Sequence, residues 1–271
     1  MKLPEGYVLR EYEVIGSTSA EARKLAESLE HNQTLLVWAK RQTSGRGRYD
    51  REWISEPGNF YTTLLLYPDV LMETLPQLSF VAALAARDAC HPERSTCHPE
   101  HSEGSQVAGD PSLLAQDDIH FKWPNDLLLK GRKAGGILLE SGMSGDKRWV
   151  AIGVGINLAS HPENVMHPAT HLAAEGINLT PEALLEQFAT AFKQWYEAWR
   201  RDGFAVVCAA WLRHADGINK AVEVRLPNHT LRGIFIGMRE DGALLLRLEN
   251  DETRAVAAGD VFLMSASSTC K

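Results

Sequence analysis

Three short polar stretches carry the residues best suited to chemistry. In "QTSGRGRYDREW" (Gln42 to Trp53), Arg46, Arg48 and Arg51 sit among Gly45 and Gly47. Guanidinium forks suit phosphate or carboxylate, and glycine permits backbone angles and close approaches closed to other residues. Such a loop can be mobile when empty and order over an anionic ligand, excluding water. A solvated basic turn is the plainer alternative. It is not a Walker A loop, because no GxxxxGK[ST] occurs. Ser17-Thr18-Ser19 offers hydroxyls and backbone N–H groups that can hold a polar, uncharged ligand head or simply cap a helix. In Lys122-Trp123-Pro124-Asn125-Asp126, a lysine at a strand end precedes a rigid proline turn, which fixes an ammonium in place. Asn125 and Asp126 can orient a nucleotide, Asp126 can help hold Mg²⁺ beside phosphates, or "PND" can be an ordinary β-turn.

The elements around these stretches place them at strand ends, where α/β proteins commonly build sites. "YVLREYEVIG" reads as a strand, followed by a helix in which Ala22, Leu25, Ala26 and Leu29 recur at helical spacing. Thr18 with Glu21 three residues on has the form of a capping box, so the helix is expected to start there. "TLLVWAKRQ" delivers the chain into the Gly/Arg loop, and "FYTTLLLYP" is a third strand with β-branched and aromatic content. "TLPQLSFVAALAARDA" reads as a buried helix. "IHFKW", "DLLL", "AGGILLE" and "RWVAIGVGINL" are successive short strands, with turns at Pro124–Asp126 and Gly131–Lys133. "TPEALLEQFATAFKQWYEAWRR" is an amphipathic helix capped by Thr180 with Pro181 at its first position, and "FAVVCAAWLRHA" continues the helical region. From about Lys220, five short strands separated by "PNHT", "REDG" and "END" suggest a small all-β barrel.

Size and composition bound the organisation. With 271 residues and 44% hydrophobic content, the chain can bury one large core or two smaller ones. A division into residues 1–217 and 218–271 is expected. Residues 90–118 interrupt the first part with the near-duplicate heptads "CHPERST" and "CHPEHSE", then Gly-, Ser- and Asp-rich sequence. This reads as a low-complexity insertion forming a mobile surface loop. Cys90 and Cys97 lie seven apart rather than at the short spacing of a zinc knuckle, so no metal site is expected. The four cysteines are scattered as reduced thiols would be. The start lacks the apolar region of a signal peptide, and no apolar run approaches the roughly 20 residues of a membrane span. A cytoplasmic protein away from membranes is the expectation. The net charge of −7 argues against a generic nucleic-acid binder.

Taken in order, "STS…RQTSGRGRYDREW…KWPNDLLL…GRKAGGILLE…GVGINL" closely resembles the catalytic domain of biotin–protein ligases over about residues 12–160, the insertion excepted. The C-terminal strands look like that family's SH3-like module. The resemblance implies an α+β fold: a mixed-sheet biotin/lipoate-ligase-like catalytic domain with a small C-terminal SH3-like β-barrel. It implies an enzyme that uses biotin and MgATP to make biotinyl-5′-AMP and pyrophosphate. A lysine of a biotin carboxyl carrier protein or domain of acetyl-CoA carboxylase then takes the acyl group. ATP, Mg²⁺ and the substrate biotin are the small molecules implied. By position, Ser17, Thr18, Ser19 and Gln42 would lie at biotin, and Arg46, Gly47 and Arg48 would form the lid over biotin and the adenylate. Lys122 would contact biotin's carboxylate and the reacting phosphate, so that Lys122 and Arg48 are the catalytic candidates. Gly135 and Gly136 would allow close backbone approach, Gly136 beside biotin. Trp53, Asn125, Asp126 and Asn157, with Arg46 and Arg48, would face the nucleotide.

Two positions depart from the pattern. The residue after Ser-Thr is usually Asn and here is Ser19, and the GRGRxGR loop has Asp50 in place of its last glycine. If that position needs a positive φ, Asp is among the better tolerated substitutes. The catalytic pattern begins within the first 20 residues, so no helix-turn-helix and no DNA binding is expected. A homodimer through an exposed strand edge is compatible with such a sheet. The nearest alternative is a lipoate–protein ligase, which shares fold and acyl-adenylate chemistry; the GRGR loop and KWPND favour biotin. An RNA-binding module lacks the clustered aromatic and basic face it needs. A catalytically inactive carrier-protein binder is the third alternative.

Overall fold

The computed structural model describes residues 1–91, 119–163, 165 and 168–264, so most of the 90–118 insertion lies outside the described residues. The N-terminal strand β1 (Tyr7–Ile15) runs into helix α1 (Thr18–Leu25) and returns as β2 (Thr34–Gln42), parallel to β1. Strand β3 (Phe60–Leu66) and helix α2 (Gln77–Ala89) follow. Four antiparallel strands come next: β4 (Ile119–Lys122), β5 (Asp126–Leu129), β6 (Arg132–Ser144) and β7 (Lys147–Ile156). The sheet order is β1-β2-β3-β7-β6-β5-β4. One parallel pair in an otherwise antiparallel sheet makes it the mixed sheet expected.

Alternation along the central strands sorts the apolar side chains onto two faces. Leu36, Trp38, Leu64, Ile152 and Val154 join the larger core, under α2 and the helices that follow. Leu35, Val37, Leu65, Trp149 and Ala151 pack with Ala22 and Ala26 of α1. Continuing along β7 on the α1 face, the side chains shrink to Gly153 and Gly155. The space beside these glycines is where the cavity described below opens.

Helix α1 begins differently from the capping-box reading. Ser17, not Thr18, is the N-cap; its Oγ accepts from Ala20 N at 3.4 Å. Thr18 is thereby freed for contacts toward the sheet. Helix α3 (Pro181–Asp202) has Thr180 as cap and Pro181 in its first turn. Gly203, with φ 79°, separates it from α4 (Phe204–Leu212), so the two form a broken helical region.

The last five strands, β8 (Ala221–Arg225), β9 (Thr230–Met238), β10 (Leu244–Arg247), β11 (Thr253–Val256) and β12 (Asp260–Leu263), form an antiparallel sheet ordered β11-β10-β9-β8-β12. Its apolar face belongs to the same core as the first sheet, through Val222, Phe235 and Leu244. Polar bonds mark the seam. Trp123 Nε1 donates to the Gly242 carbonyl at 3.0 Å, and Gln77 Nε2 to the Glu240 carbonyl at 2.7 Å.

Candidate active site

The arginine loop folds back on itself as a small hairpin. Trp53 N donates to Gly45 O at 2.9 Å and Gly47 N to Arg51 O at 2.7 Å. Gly45 is required by contact, because a Cβ there would stand 2.4 Å from the Trp53 carbonyl. At the tip Tyr49 and Asp50 have φ of 57° and 54°. Asp50 therefore does sit in the left-handed region, one of the few non-glycine types that adopt it readily.

The loop arginines are tied to groups far away in sequence. Arg48 Nη1 donates to Asn125 Oδ1 at 3.2 Å and to Gly259 O at 3.4 Å. Arg51 Nη2 donates to Asp260 Oδ2 at 2.7 Å. Burial pushes the Asp260 carboxyl up, but the Arg51 bond and the charges of Arg51, Arg48 and Lys122 outweigh it, leaving the carboxyl below its usual range. Arg46 and Trp53 also line the cavity; their Nη2 and Nε1 atoms are buried without a hydrogen-bond partner among the described residues, and Arg46 Nη2 stands 3.9 Å from Glu140 Oε1.

At the other end, an uncharged relay surrounds the start of α1. Thr18 N and Oγ1 both donate to Gln42 Oε1, at 2.9 and 3.1 Å. Thr63 Oγ1 donates to Thr18 Oγ1 at 2.9 Å and lies 3.2 Å from Ser19 Oγ. Gln42 Nε2 donates to Ser55 Oγ at 3.0 Å, which donates to the Trp53 carbonyl at 2.9 Å. Ser17, Thr18 and Ser19 are all buried.

Lys122, the last residue of β4, lines the same site. Burial lowers its pKa, and the neighbouring Lys133 charge acts in the same direction, against Asp126, Asp260 and Asp216. Lys133 Nζ pairs with Asp126 Oδ1 at 2.6 Å and stands 5.5 Å from the centre of the Trp53 ring. That ring lies over the glycines of β6 and β7: a Cβ on Gly155 would meet it at 2.6 Å, and one on Gly136 at 3.2 Å. Asn125 Nδ2 donates to Ile137 O, which leaves its Oδ1 for Arg48, and Asn157 Nδ2 donates to Thr170 O.

Many of these groups border one cavity of about 330 Å³. Ser17, Thr18, Ser19, Gln42, Arg46, Gly47, Arg48, Trp53, Lys122, Asn125, Asp126, Gly136 and Asn157 all line it. Gly135 instead packs against the Gly155 carbonyl. Lys133 and Asp260 also line it and were not singled out from sequence. Lys133 stands within the quoted "GRKAGG", so a signal existed; nothing local marks Asp260 among the many turn acids. The lining brings neutral hydrogen-bonding groups, cations, an indole and glycines together in one cavity. Such a cavity fits a neutral polar head linked to an anionic centre.

A model described as the Biotin/lipoate A/B protein ligase family matches residues 12–157, and one described as the Biotin protein ligase C terminal domain matches residues 217–264. The chain is 38% identical over 238 residues to the biotin–[acetyl-CoA-carboxylase] ligase of Paracoccus denitrificans, covering 85% of this chain and 90% of that protein. The chain belongs to the biotin–protein ligase family. It is also 32% identical to the bifunctional ligase/repressor BirA of Bacillus subtilis, over 93% of this chain and 73% of that protein. Among solved biotin–protein ligases, that of Aquifex aeolicus in complex with biotin and ATP has the same fold. Its TM-score is 0.72 at 23% identity, covering 94% of this chain and 98% of that one. The Leishmania major ligase in complex with biotinyl-5-AMP superposes with TM-score 0.63 at 25% identity, covering 94% of this chain and all of the other.

Proposed function

We propose that the cavity makes biotinyl-5′-AMP and hands its acyl group to a lysine of a biotin carboxyl carrier domain. A biotin carboxylate oxygen attacks the α-phosphorus of MgATP, and pyrophosphate leaves with the electrons of the broken P–O bond. The carrier lysine, as the free amine, then attacks the acyl carbon. A C–N bond forms, the C–O bond to phosphate breaks, and AMP and a proton depart. Each protein group has a share. The Ser17–Ser19 turn with Gln42 receives the ureido end of biotin. Lys122 stands at the carboxylate and α-phosphate, and Arg46, Gly47 and Arg48 close over the anhydride. Trp53, Asn125, Asp126 and Asn157 face the nucleotide, with Gly136 beneath biotin.

One observation carries this reading: a single cavity joins the buried, uncharged Thr18–Gln42 relay to Lys122 and Arg48. Among the described residues, the lining holds no His or Cys, and the reaction requires none, since both nucleophiles come from substrates. The protein's work is positioning and stabilising charge that develops on phosphate. Asp126 and Asp260 are already paired with Lys133 and Arg51. Mg²⁺ accordingly arrives with ATP as part of the substrate, held chiefly by phosphate oxygens and water.

The same reading divides the chain at 217/218, assigns it to the cytoplasm, and uses the edge strand β1 for a homodimer. Among the described residues, no helix is long and apolar enough to cross a membrane. Incubation with biotin, MgATP and a carrier domain tests the proposal by intact-mass analysis. The expected result is one biotinyl adduct on one carrier lysine, dependent on ATP. An unmodified carrier, or one modified only when lipoate replaces biotin, contradicts it.

A further inference from the structure

A second cavity of about 170 Å³ adjoins the first, and Lys122, Asp126 and Lys133 line both. Its remaining walls are mostly apolar: Leu128 of β5 and Val261, Phe262 and Leu263 of β12. Gly131, Pro168 and Asp216 complete it. The Phe262 ring centre lies 4.8 Å from Lys122 Nζ. Leu263 is 48% exposed, so the cavity reaches the surface through an apolar side chain that the packing leaves uncovered.

We propose that this second cavity receives the acceptor lysine of the carrier domain, with Leu128, Phe262 and Leu263 along its methylene stem and Asp216 drawing in its ammonium, which gives its proton to solvent water before the nitrogen attacks as the free amine. The inference rests on the ligase reading above. Three observations converge on it. The cavity meets the larger one at Lys122, the group assigned to the acyl carboxylate, which is where the attacking nitrogen has to arrive. A long apolar stem ending in a cation matches leucine and phenylalanine walls with a carboxylate among them. The carboxylates are also unequal. Asp126 is committed to Lys133 at 2.6 Å, whereas Asp216 is held through its backbone, its N–H donating to Phe121 O at 2.8 Å. Its carboxylate is thus available to a cation arriving from outside. Asp216 is near enough to Lys122 for its charge to be felt there, so a bound ammonium lies close to the reaction centre. The nucleotide and biotin already have their own donors in the larger cavity, which leaves the smaller one for the second substrate.

The test compares two reactions of the full chain: biotin-dependent ATP–pyrophosphate exchange, which needs no acceptor, and biotin transfer to a carrier domain. Asp216→Asn should lower kcat/KM for the carrier by about tenfold or more beyond any change in exchange, mainly through KM. Leu263→Lys, at an exposed position that folding tolerates, should raise the carrier KM in the same selective way by setting a like charge at the mouth. If both variants keep the wild-type ratio of transfer to exchange, the acceptor assignment is overturned. Equal losses in the two reactions would move Asp216 to the adenylation side and also overturn it. Absence of exchange in the wild type would instead overturn the ligase reading, and the acceptor subsite with it.

Discussion

At the scale of single residues, the proposed ligase chemistry leans most on Lys122. Its ammonium stabilises developing charge only while protonated, and burial lowers its pKa. Lys122→Ala should reduce adenylation about 10²–10³-fold, the usual loss for one well-placed donor. Adenylation by the wild type should also fall on the alkaline side below the ordinary lysine range. Lys122→Arg should move that limb upward, as a pH–rate profile of exchange would reveal; an unmoved limb would mean another group titrates. The same shift affects stability with a definite sign. The folded protein binds fewer protons here than the unfolded chain, so this group's contribution to stability rises with pH between its folded and unfolded pKa values. Residue types made most of this site legible in sequence, because Gly, Arg and Lys at strand ends have few structural duties. The N-cap was misread because Ser17 and Thr18 are chemically interchangeable as caps. Only the neighbouring strands, through Gln42 and Thr63, decide which hydroxyl turns inward.

At the scale of elements, the arginine loop is positioned by both sheets. Gln42, Ser55 and Trp53 fix its base, while Asp260 of β12 fixes Arg51 and stands 4.0 Å from Arg48. Asp260→Ala should therefore raise the KM for ATP and speed tryptic cleavage within residues 46–51, with biotin affinity less affected. Cleavage at the wild-type rate would show that the ion pair does not order the loop. Gly45→Ala drives a methyl into the Trp53 carbonyl and the Ser55 hydroxyl. It should unseat the hairpin and weaken biotin binding, measurable by calorimetry. The strands and helices themselves are readable from apolar runs, β-branched and aromatic content and turn residues, since β2 and β3 are buried on both faces. The Arg51–Asp260 link was not, because it joins positions 209 apart whose approach depends on how two sheets pack.

At the scale of the whole molecule, the two sheets share one apolar core, so the proposed division at 217/218 separates two sheets that are expected to unfold together. Gly242 shows how tight the seam is. It has φ 82°, and a Cβ there would meet the Phe80 ring at 2.6 Å. Gly242→Ala should destabilise the protein by roughly 1–3 kcal/mol through overpacking and an unfavourable φ. Urea unfolding of the wild type should follow a single transition by fluorescence and circular dichroism alike. Two separated transitions would mean that the sheets unfold independently and the seam is weaker than its packing indicates. Composition signalled the change of texture near Lys220, yet it carried no trace of the burial of Trp123 or Phe80 against it.

If this cavity adenylates biotin with Lys122 as its key cation, the reaction should be specific to biotin and depend on that side chain. Biotin-dependent ATP–pyrophosphate exchange on the purified chain tests it most directly, with lipoate as the control substrate and Lys122→Ala beside the wild type. Exchange with biotin alone, lost in the variant, is the expected result. Exchange with lipoate in place of biotin, or undiminished exchange in Lys122→Ala, would contradict the account.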